Sequence, residues 1–209
     1  MIALSPLVRV VDDDASFCRA ISRVLDLAGY RVRRYASAGD FLLDQESCEA
    51  PGCIILDLRM PGPSGLELQD ALARRGDNVP IVYLSGRADV PSTARAMKAG
   101  AVDFLTKPVD RRVLLAAVRD AVAIDVRRRA ERAKRIDLET RYASLTVREQ
   151  DVMRGVVKGR LNKQIAVELG MAERTVKWHR AQMMEKMNAE TLADLVDAAR
   201  DLRSRTLPG

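Results

Sequence analysis

Short apolar runs alternate with helical patterns through the first 123 residues of the chain. Five short segments, most of them rich in β-branched and aliphatic side chains, predict strands: residues 7–11, 31–35, 53–57, 81–85 and 103–106. Apolar residues recur at helical spacing between these segments, and Gly29 and Gly100 stand where two of the predicted helices should end. Strands that alternate with helices indicate an α/β fold, here a doubly wound parallel sheet of five strands.

The rest of the chain shows helical patterns only. Residues 118–141 contain neither Gly nor Pro, so the last helix of the first part is predicted to run on into a charged linker. Thr146, with Glu149 three residues later, forms a capping box that opens a helix ending at Gly159. Two further helices are predicted on either side of Gly170, at residues 162–169 and 173–187, which is the pattern of a helix-turn-helix.

These patterns predict two domains of different class. The α/β domain should occupy residues 1–123 and a small all-α helix-turn-helix domain residues 144–209, with a helical linker at 124–143. On the second helix of the helix-turn-helix, Val176, Met183 and Met187 share one face and should be core. The other faces of that helix are then available to the major groove of DNA.

The positive charge of the chain lies in its second part. Lys and Arg number 35 and Asp and Glu number 29, which gives a formal net charge of +6. Residues 1–123 hold 16 of each sign, so 19 basic and 13 acidic residues remain for 124–209. A basic second part suits contact with a polyanion, although a solvated charged face is the simpler explanation of its arginine run.

Composition argues against membrane, secreted and zinc-binding classes. No apolar stretch approaches the roughly 20 residues that span a bilayer, and residues 1–11 lack the basic segment of a secretory signal peptide. The three cysteines, Cys18, Cys48 and Cys53, have no metal-ligand spacing and fit reduced thiols in a cytosol, two of them buried. We therefore expect a cytoplasmic protein.

Candidate chemistry collects where the predicted strands end. In a parallel sheet the carboxyl ends of the strands meet at one edge, which here carries Asp12, Asp13, Asp57, Ser85 and Lys107. Three adjacent carboxylates repel one another unless a cation intervenes, and Mg²⁺ is the hard divalent ion that such oxygens bind. A lysine and a hydroxyl beside the ion make sense if a phosphoryl group arrives and Asp57 attacks it as nucleophile.

Four motifs on these strand ends resemble the signatures of response-regulator receiver domains: residues 11–14, residues 57–62, Ser85-Gly86 and Lys107-Pro108. The resemblance covers residues 6–123. It implies that Asp57 accepts a phosphoryl group from a sensor histidine kinase, with Lys107 pairing to the phosphate. It also implies that Mg²⁺ is held by Asp12, Asp13, Asp57 and the backbone carbonyl of Arg59.

The same resemblance assigns a conformational relay to Ser85 and Phe104. Ser85 stands where many receivers carry Thr, and the hydroxyl is kept. Phe104 has no hydroxyl, so only the burial of its ring, and no hydrogen bond from it, can change on switching. The resemblance also suggests a cis peptide at Lys107-Pro108.

Residues 145–149, 162–166 and 175–179 resemble the LuxR-type output domain of the NarL/FixJ class of regulators. The resemblance implies a four-helix domain over residues 144–203 that contacts DNA through Lys163, Thr175, Lys177, Trp178, Arg180, Ala181 and Gln182. For Trp178, core packing is the default alternative, and His179 is expected to pack or to touch a phosphate rather than to act as a ligand or catalyst. The apolar stripe of the last helix, at 192, 195, 196 and 199, either pairs two copies or packs within its own domain.

Two positions depart from the LuxR-type pattern. Ala172 stands where a hydroxyl N-cap is usual, and Asn188 stands where Gly is common. Because Asn tolerates the left-handed backbone conformation, only Ala172 should reduce stability.

The chain is thus predicted to be a two-component response regulator rather than an enzyme, apart from its own phosphoryl transfer and dephosphorylation. Phosphorylation of Asp57 would promote a homodimer that binds a two-fold DNA operator, with a sensor kinase and RNA polymerase as further partners and no membrane partner. One alternative is a Mg²⁺-dependent aspartyl-phosphate hydrolase, but that chemistry needs a second Asp two residues after the nucleophile, where Arg59 stands. Another is a phosphorylation-independent DNA binder with a vestigial receiver, against which the complete set of pocket residues argues.

Overall fold

The computed structural model describes residues 5–44, 50–86 and 89–206, with side chains as far as Leu202. By their contacts the residues divide into two units, Met1–Ala130 and Glu131–Gly209. The two units are described separately below. The predicted domain limits at 123 and 144 stay predictions.

The first unit is a five-stranded parallel sheet flanked by helices. Its strands are β1 (Leu7–Val11), β2 (Arg31–Tyr35), β3 (Gly52–Leu56), β4 (Ile81–Ser85) and β5 (Asp103–Thr106). Its helices are α1 (Ala15–Leu27), α2 (Ala38–Leu43), α3 (Gly65–Arg74), α4 (Val90–Lys98) and the start of α5 (Arg111–Ala143). The strand order is β2-β1-β3-β4-β5 and every pairing is parallel, which confirms the predicted α/β fold.

The sequence of the central strand β3 is apolar at every position because both faces of the strand are buried. Successive residues of a strand point to opposite faces of the sheet. Cys53 and Ile55 therefore enter one core cluster, which includes residues of α1 and α5, while Ile54 and Leu56 enter a second, which includes residues of α2, α3 and α4. The strand lies one residue earlier than predicted, so that Asp57 is the first residue after it.

A buried carboxylate on α5 fixes the start of β3. Asp125 accepts hydrogen bonds from the backbone amide of Gly52 at 2.8 Å and from Nε of Arg129 at 2.7 Å. A Cβ at Gly52 would lie 1.9 Å from the carbonyl oxygen of Leu7, so only glycine fits where β3 begins. Asp125 therefore links α5 to the start of the central strand β3.

Two of the cysteines are buried in the first cluster, as predicted. Burial raises the pKa of Cys18 to about 11 and that of Cys53 to about 12. Both thiols are therefore protonated at neutral pH and behave as small apolar side chains. Cys48 lies outside the described residues.

The second unit is helical, as predicted. After the end of α5 it contains α6 (Val147–Val157), α7 (Asn162–Leu169), α8 (Glu173–Met187) and α9 (Leu192–Thr206). Val176, Met183 and Met187 are buried, which confirms the predicted core face of α8. Gly170 ends α7 and Asn188 ends α8, both in the left-handed conformation, with φ of 63° and 50°. Among the described residues, no helix is both long enough and apolar enough to cross a membrane.

The predicted capping box of α6 also ties α6 to α8. Glu149, only 2% exposed, accepts a hydrogen bond from the amide of Thr146 at 2.8 Å and from Nζ of Lys186 at 2.7 Å. Burial by itself would raise the pKa of Glu149, but the hydrogen bonds from Lys186 and Thr146 outweigh it and lower the pKa below its ordinary value. A buried carboxylate with a lowered pKa stabilises the fold once it is ionised.

We predict that Glu149→Gln lowers the free energy of unfolding of the second unit at neutral pH by about 1.5–3 kcal/mol, the usual worth of a hydrogen bond to a charged group. Because the pKa of Glu149 is lowered, its contribution is present above the ordinary value of 4.5 and is lost as the pH falls through the folded-state value. Denaturant unfolding of the full chain, followed by the fluorescence of Trp178, measures this difference at several pH values. Glu185→Gln, an equal charge change at an exposed position of α8, is the control. Equal losses for both variants would contradict the assignment.

Candidate functional site

The carboxyl ends of β1, β3 and β5 deliver charged residues to one edge of the sheet. The parallel ladder continues just past the strands: the amide of Asp57 donates to the carbonyl of Val11, and the amide of Lys107 donates to the carbonyl of Ser85, both at 2.9 Å. These backbone bonds fix the heights of Asp57 and Lys107 relative to the neighbouring strands. Asp12 and Asp13 directly follow β1, and Asp57 and Lys107 belong to the same edge.

One ammonium group bridges two buried carboxylates at this edge. Nζ of Lys107 donates to Oδ2 of Asp12 at 2.5 Å and to Oδ2 of Asp57 at 2.8 Å. Burial raises the pKa of Asp12 more than the hydrogen bond from Lys107 lowers it. Burial would lower the pKa of Lys107, but the bonds to the two carboxylates outweigh it and raise the pKa, so the ammonium is charged at neutral pH.

The edge offers a set of oxygen ligands that suits a divalent cation. Asp12, Asp13 and Asp57 each present a carboxylate oxygen, and these atoms lie within 4.8 Å of one another. Three carboxylates match the oxygen ligands that Mg²⁺ prefers, whereas softer metals favour His and Cys. Lys107 contacts one oxygen of Asp12 and one of Asp57. The predicted residues therefore fit a Mg²⁺ ion.

Asp14 and Arg59 lie beside this cluster in supporting positions. Asp14 is the N-cap of α1, where its side chain accepts from the amides of Ser16 and Phe17. The amide of Arg59 donates to Oδ1 of Asp57 at 3.2 Å, so the loop after β3 wraps around that carboxylate. The guanidinium of Arg59 pairs with Asp89 at 3.1 Å. A ligand role for the carbonyl of Arg59 stays a prediction.

Phe17 is a neighbour of the cluster that sequence reasoning missed. Nζ of Lys107 lies 4.2 Å from the centroid of its ring. Helical spacing places Phe17 among the apolar residues of α1, but nothing in a local pattern reveals which distant side chain a ring will face. Phe17 is half-buried and packs against the first core cluster.

The two predicted relay residues lie on neighbouring strands. Ser85, the last residue of β4, is buried and pairs in register with Thr106 of β5. Phe104 is half-buried and stacks on Tyr83, with ring centroids 5.7 Å apart and planes 19° from parallel. The relay role of both residues stays a prediction.

Tyr83 belongs to a buried polar network that local sequence patterns do not reveal. Its hydroxyl lies 3.0 Å from the carbonyl oxygen of Gly65 and 3.0 Å from the side-chain oxygen of Gln69. The amide nitrogen of Gln69 donates to the carbonyls of Ala96 and Ala99, where α4 ends. A Cβ at Gly65 would lie 2.2 Å from the carbonyl oxygen of Asp57. The network therefore joins α3, β4 and α4, and the start of α3 packs closely against the backbone of Asp57.

In the second unit, α8 presents most of the predicted DNA-contact residues to solvent. Thr175, Lys177, Trp178 and Ala181 are exposed, as is Lys163 in the first turn of α7. Trp178 is 59% exposed, which rules out core packing as its main role. Lys177 pairs with Glu173 at 3.1 Å.

Two other predicted contact residues are half-buried, as is the neighbouring His179. Arg180 donates to the side-chain oxygen of Asn162 at 3.0 Å and so connects α8 to α7, while Gln182 is half-buried on α8. The ring of His179 meets that of Trp178 edge-on at 4.9 Å, and its buried Nδ1 has no hydrogen-bond partner among the described residues. His179 thus packs at the edge of the exposed face, which fits the expected packing role.

The four apolar residues of the α9 stripe, at 192, 195, 196 and 199, differ in burial, which bears on whether the stripe packs within the domain or pairs two copies. Leu195 and Ala199 are buried in the core of the second unit. Leu192 is 44% exposed and Val196 is half-buried. Packing within the domain therefore accounts for two of the four residues, and pairing of two copies through the others stays a prediction.

Comparisons with known proteins agree with both parts of the chain. The family model of the response regulator receiver domain matches residues 8–119. The model of the bacterial regulatory proteins of the luxR family matches residues 143–199. The response regulator protein TmoT of Ectopseudomonas mendocina is 41% identical over 199 residues, covering 94% of this chain and 89% of TmoT. The transcriptional regulatory protein FixJ of Azorhizobium caulinodans is 40% identical over 192 residues, covering 92% of this chain and 90% of FixJ. The solved structure of the response regulator StyR is similar with a TM-score of 0.88 and 44% identity, over 94% of this chain and 98% of StyR.

Helix α8 begins without a side-chain cap. Ala172 is the N-cap and has extended backbone angles, but its side chain makes no capping hydrogen bond. We predict that Ala172→Ser raises the free energy of unfolding by roughly 1 kcal/mol, because the hydroxyl can accept from a free amide of the first turn. Denaturant unfolding of the full chain, followed by Trp178 fluorescence, measures the gain. Ala193→Ser, at an exposed position inside α9, should show no gain, and an unchanged midpoint for Ala172→Ser would mean that α8 begins elsewhere.

Proposed function

Because this chain belongs to the response regulators of the NarL/FixJ class, with a receiver domain and a LuxR-type DNA-binding domain, we propose that phosphorylation of Asp57 controls its binding to DNA. The observation that carries the proposal is the shared contact of Lys107 with Asp12 and Asp57 beside a third carboxylate. A lysine that contacts both a nucleophile and a metal ligand is placed to pair with an arriving phosphoryl group.

The side chains of the pocket have distinct parts in the proposed phosphoryl transfer. Asp57 attacks the phosphorus of a phosphohistidine on a sensor kinase, and the imidazole leaves. The ammonium of Lys107 neutralises charge on the transferred group, and the hydroxyl of Ser85 donates to one of its oxygens. Asp12, Asp13, Asp57 and the carbonyl of Arg59 would hold Mg²⁺, which would supply further charge neutralisation when bound.

Neither alternative function gains support from the pocket. An aspartyl-phosphate hydrolase needs an acid two residues after the nucleophile, and Arg59 occupies that position with its guanidinium paired to Asp89. A vestigial receiver would be expected to lack part of the cluster, yet the acids, the lysine and the buried hydroxyl are all retained. We therefore propose that the receiver carries out only its own phosphorylation and dephosphorylation.

The second domain is proposed to bind a two-fold DNA operator as a homodimer. One small helix-turn-helix makes few contacts, whereas two linked copies gain affinity through effective concentration. Basic residues supply contacts to DNA phosphates, and the exposed residues of α8 read the bases in the major groove. A sensor histidine kinase and RNA polymerase are the proposed protein partners, and the proposed compartment is the cytoplasm.

We predict that Asp57 is the only residue phosphorylated by acetyl phosphate in the presence of Mg²⁺. Asp57→Asn should abolish the adduct, because an amide is a far weaker nucleophile than a carboxylate. Intact-mass spectrometry followed by peptide mapping measures and locates the label. Asp26→Asn, which removes an exposed carboxylate of α1, should leave labelling unchanged. Labelling of Asp57→Asn at the wild-type level would reject Asp57 as the acceptor.

Lys177 and Lys163 should contribute differently to DNA binding. Lys177→Ala is predicted to cost about 1–3 kcal/mol on cognate DNA and to relax a base preference, whereas Lys163→Ala should weaken binding to all sequences and flatten the salt dependence. Titrations at several salt concentrations, on DNA selected from a random pool and on a scrambled version, separate the two effects. Lys158→Ala, at an exposed position after α6, is the matched control for loss of charge. Equal losses on both DNAs for Lys177→Ala would remove Lys177 from base recognition.

A further inference from the structure

The ammonium of Lys107 has one neutral neighbour among its described contacts. Its hydrogen bonds go to Asp12 and Asp57, and its third contact is the ring of Phe17, 4.2 Å from Nζ to the centroid. An ammonium within about 6 Å of an aromatic face is attracted by the quadrupole of the ring, more strongly when water is excluded. The side chain of Lys107 is only 17% exposed, so water screens this attraction little.

Phe17 is held by the start of α1 and by core packing. Phe17 lies in the first turn of α1, where its amide donates to Oδ1 of the N-cap Asp14 at 3.0 Å. Its side chain packs against the first core cluster. The ring therefore packs beside the pocket as an uncharged neighbour, whereas both hydrogen-bond partners of Lys107 belong to the predicted metal and phosphoryl chemistry.

The contact with Phe17 differs from the two carboxylate contacts in what happens to it during the proposed reaction. Asp12 and Asp57 are proposed to bind Mg²⁺, and Asp57 is proposed to become phosphorylated, so the two charged contacts of Lys107 must weaken as the reaction proceeds. The attraction of a neutral ring to the ammonium does not depend on either carboxylate. Phe17 can thus keep the ammonium inside the pocket while its charged partners are exchanged.

We propose that Phe17 is a positioning residue for Lys107, which it holds ready for the incoming phosphoryl group by a cation–π contact. This inference rests on the proposed function, because it assigns Phe17 a part in the phosphorylation of Asp57. In the test reaction, an Asp57 oxygen forms a bond to the phosphorus of acetyl phosphate, the bond from that phosphorus to the acetyl oxygen breaks, and acetate leaves. Phe17 touches none of these atoms and acts only through Lys107.

The kinetic test first removes the aromatic ring and then weakens its quadrupole at nearly constant volume. Phe17→Leu should slow phosphorylation of Asp57 by acetyl phosphate roughly two- to tenfold, and Phe17→Tyr should retain the wild-type rate. Incorporating mono-, di- and trifluorophenylalanine at position 17 weakens the quadrupole in steps with little change of volume, and the rate should fall in the same order. Phe41→Leu removes a buried ring from the second core cluster and controls for a loss of receiver stability. It should leave the rate unchanged.

A spectroscopic readout on the metal-free full chain needs no turnover. A ring facing the ammonium should shift the proton resonances of the ε-methylene of Lys107 upfield, and Phe17→Leu should abolish that shift. Lysine labelled with ¹³C, with Lys107→Arg used to assign the signal, makes the measurement possible. An unshifted ε-methylene in the wild type would overturn the proposal.

The outcomes separate the inference from the function on which it rests. If the wild-type chain takes no label on Asp57, the proposed function fails whatever the spectrum shows. If the wild type is labelled but Phe17→Leu reacts at the same rate, the positioning role is rejected while the function stands. A slow Phe17→Leu combined with a flat fluorinated series would mean that the ring only fills space, which also rejects it.

Discussion

Two buried carboxylates, Asp12 and Asp57, share the single ammonium of Lys107, and the proposed chemistry of the receiver depends on that sharing. Each carboxylate alone would be an uncompensated buried charge, which is strongly destabilising. The three groups follow three different strands, and only the parallel order β1-β3-β4-β5 brings them to one edge. Sheet topology is thus a condition for the pocket.

Contacts between uncharged groups also surround the charged cluster. Phe17 faces the ammonium from α1, and Tyr83 with Gln69 joins the start of α3 to the end of α4. These contacts use a ring face, a hydroxyl and an amide, so none of them depends on the charge of a carboxylate. In the proposed function, a phosphoryl group on Asp57 would therefore leave them in place.

Sequence patterns predicted the elements and the acidic pocket because both have local signatures. The buried strand β3 is apolar throughout, and the strand-end acids meet wherever parallel strands end together. The contacts of Phe17, Gln69 and Asp125 had no such signature, since each joins parts of the chain that are far apart. Asp125 and its partner Gly52, for example, are separated by 73 positions. Periodicity marks a residue as core or surface, but it does not name the neighbour that a folded chain will supply.

The central claim is that phosphorylation of Asp57 controls dimerisation and DNA binding. The most direct test measures, on one sample, the sedimentation of the full chain and its affinity for DNA selected from a random pool, before and after treatment with acetyl phosphate and Mg²⁺. The account predicts that the phosphorylated wild type sediments as a dimer and binds at least about tenfold more tightly, while Asp57→Asn shows neither change. Tight binding by a phosphorylated monomer, or equal affinity before and after phosphorylation, would contradict it.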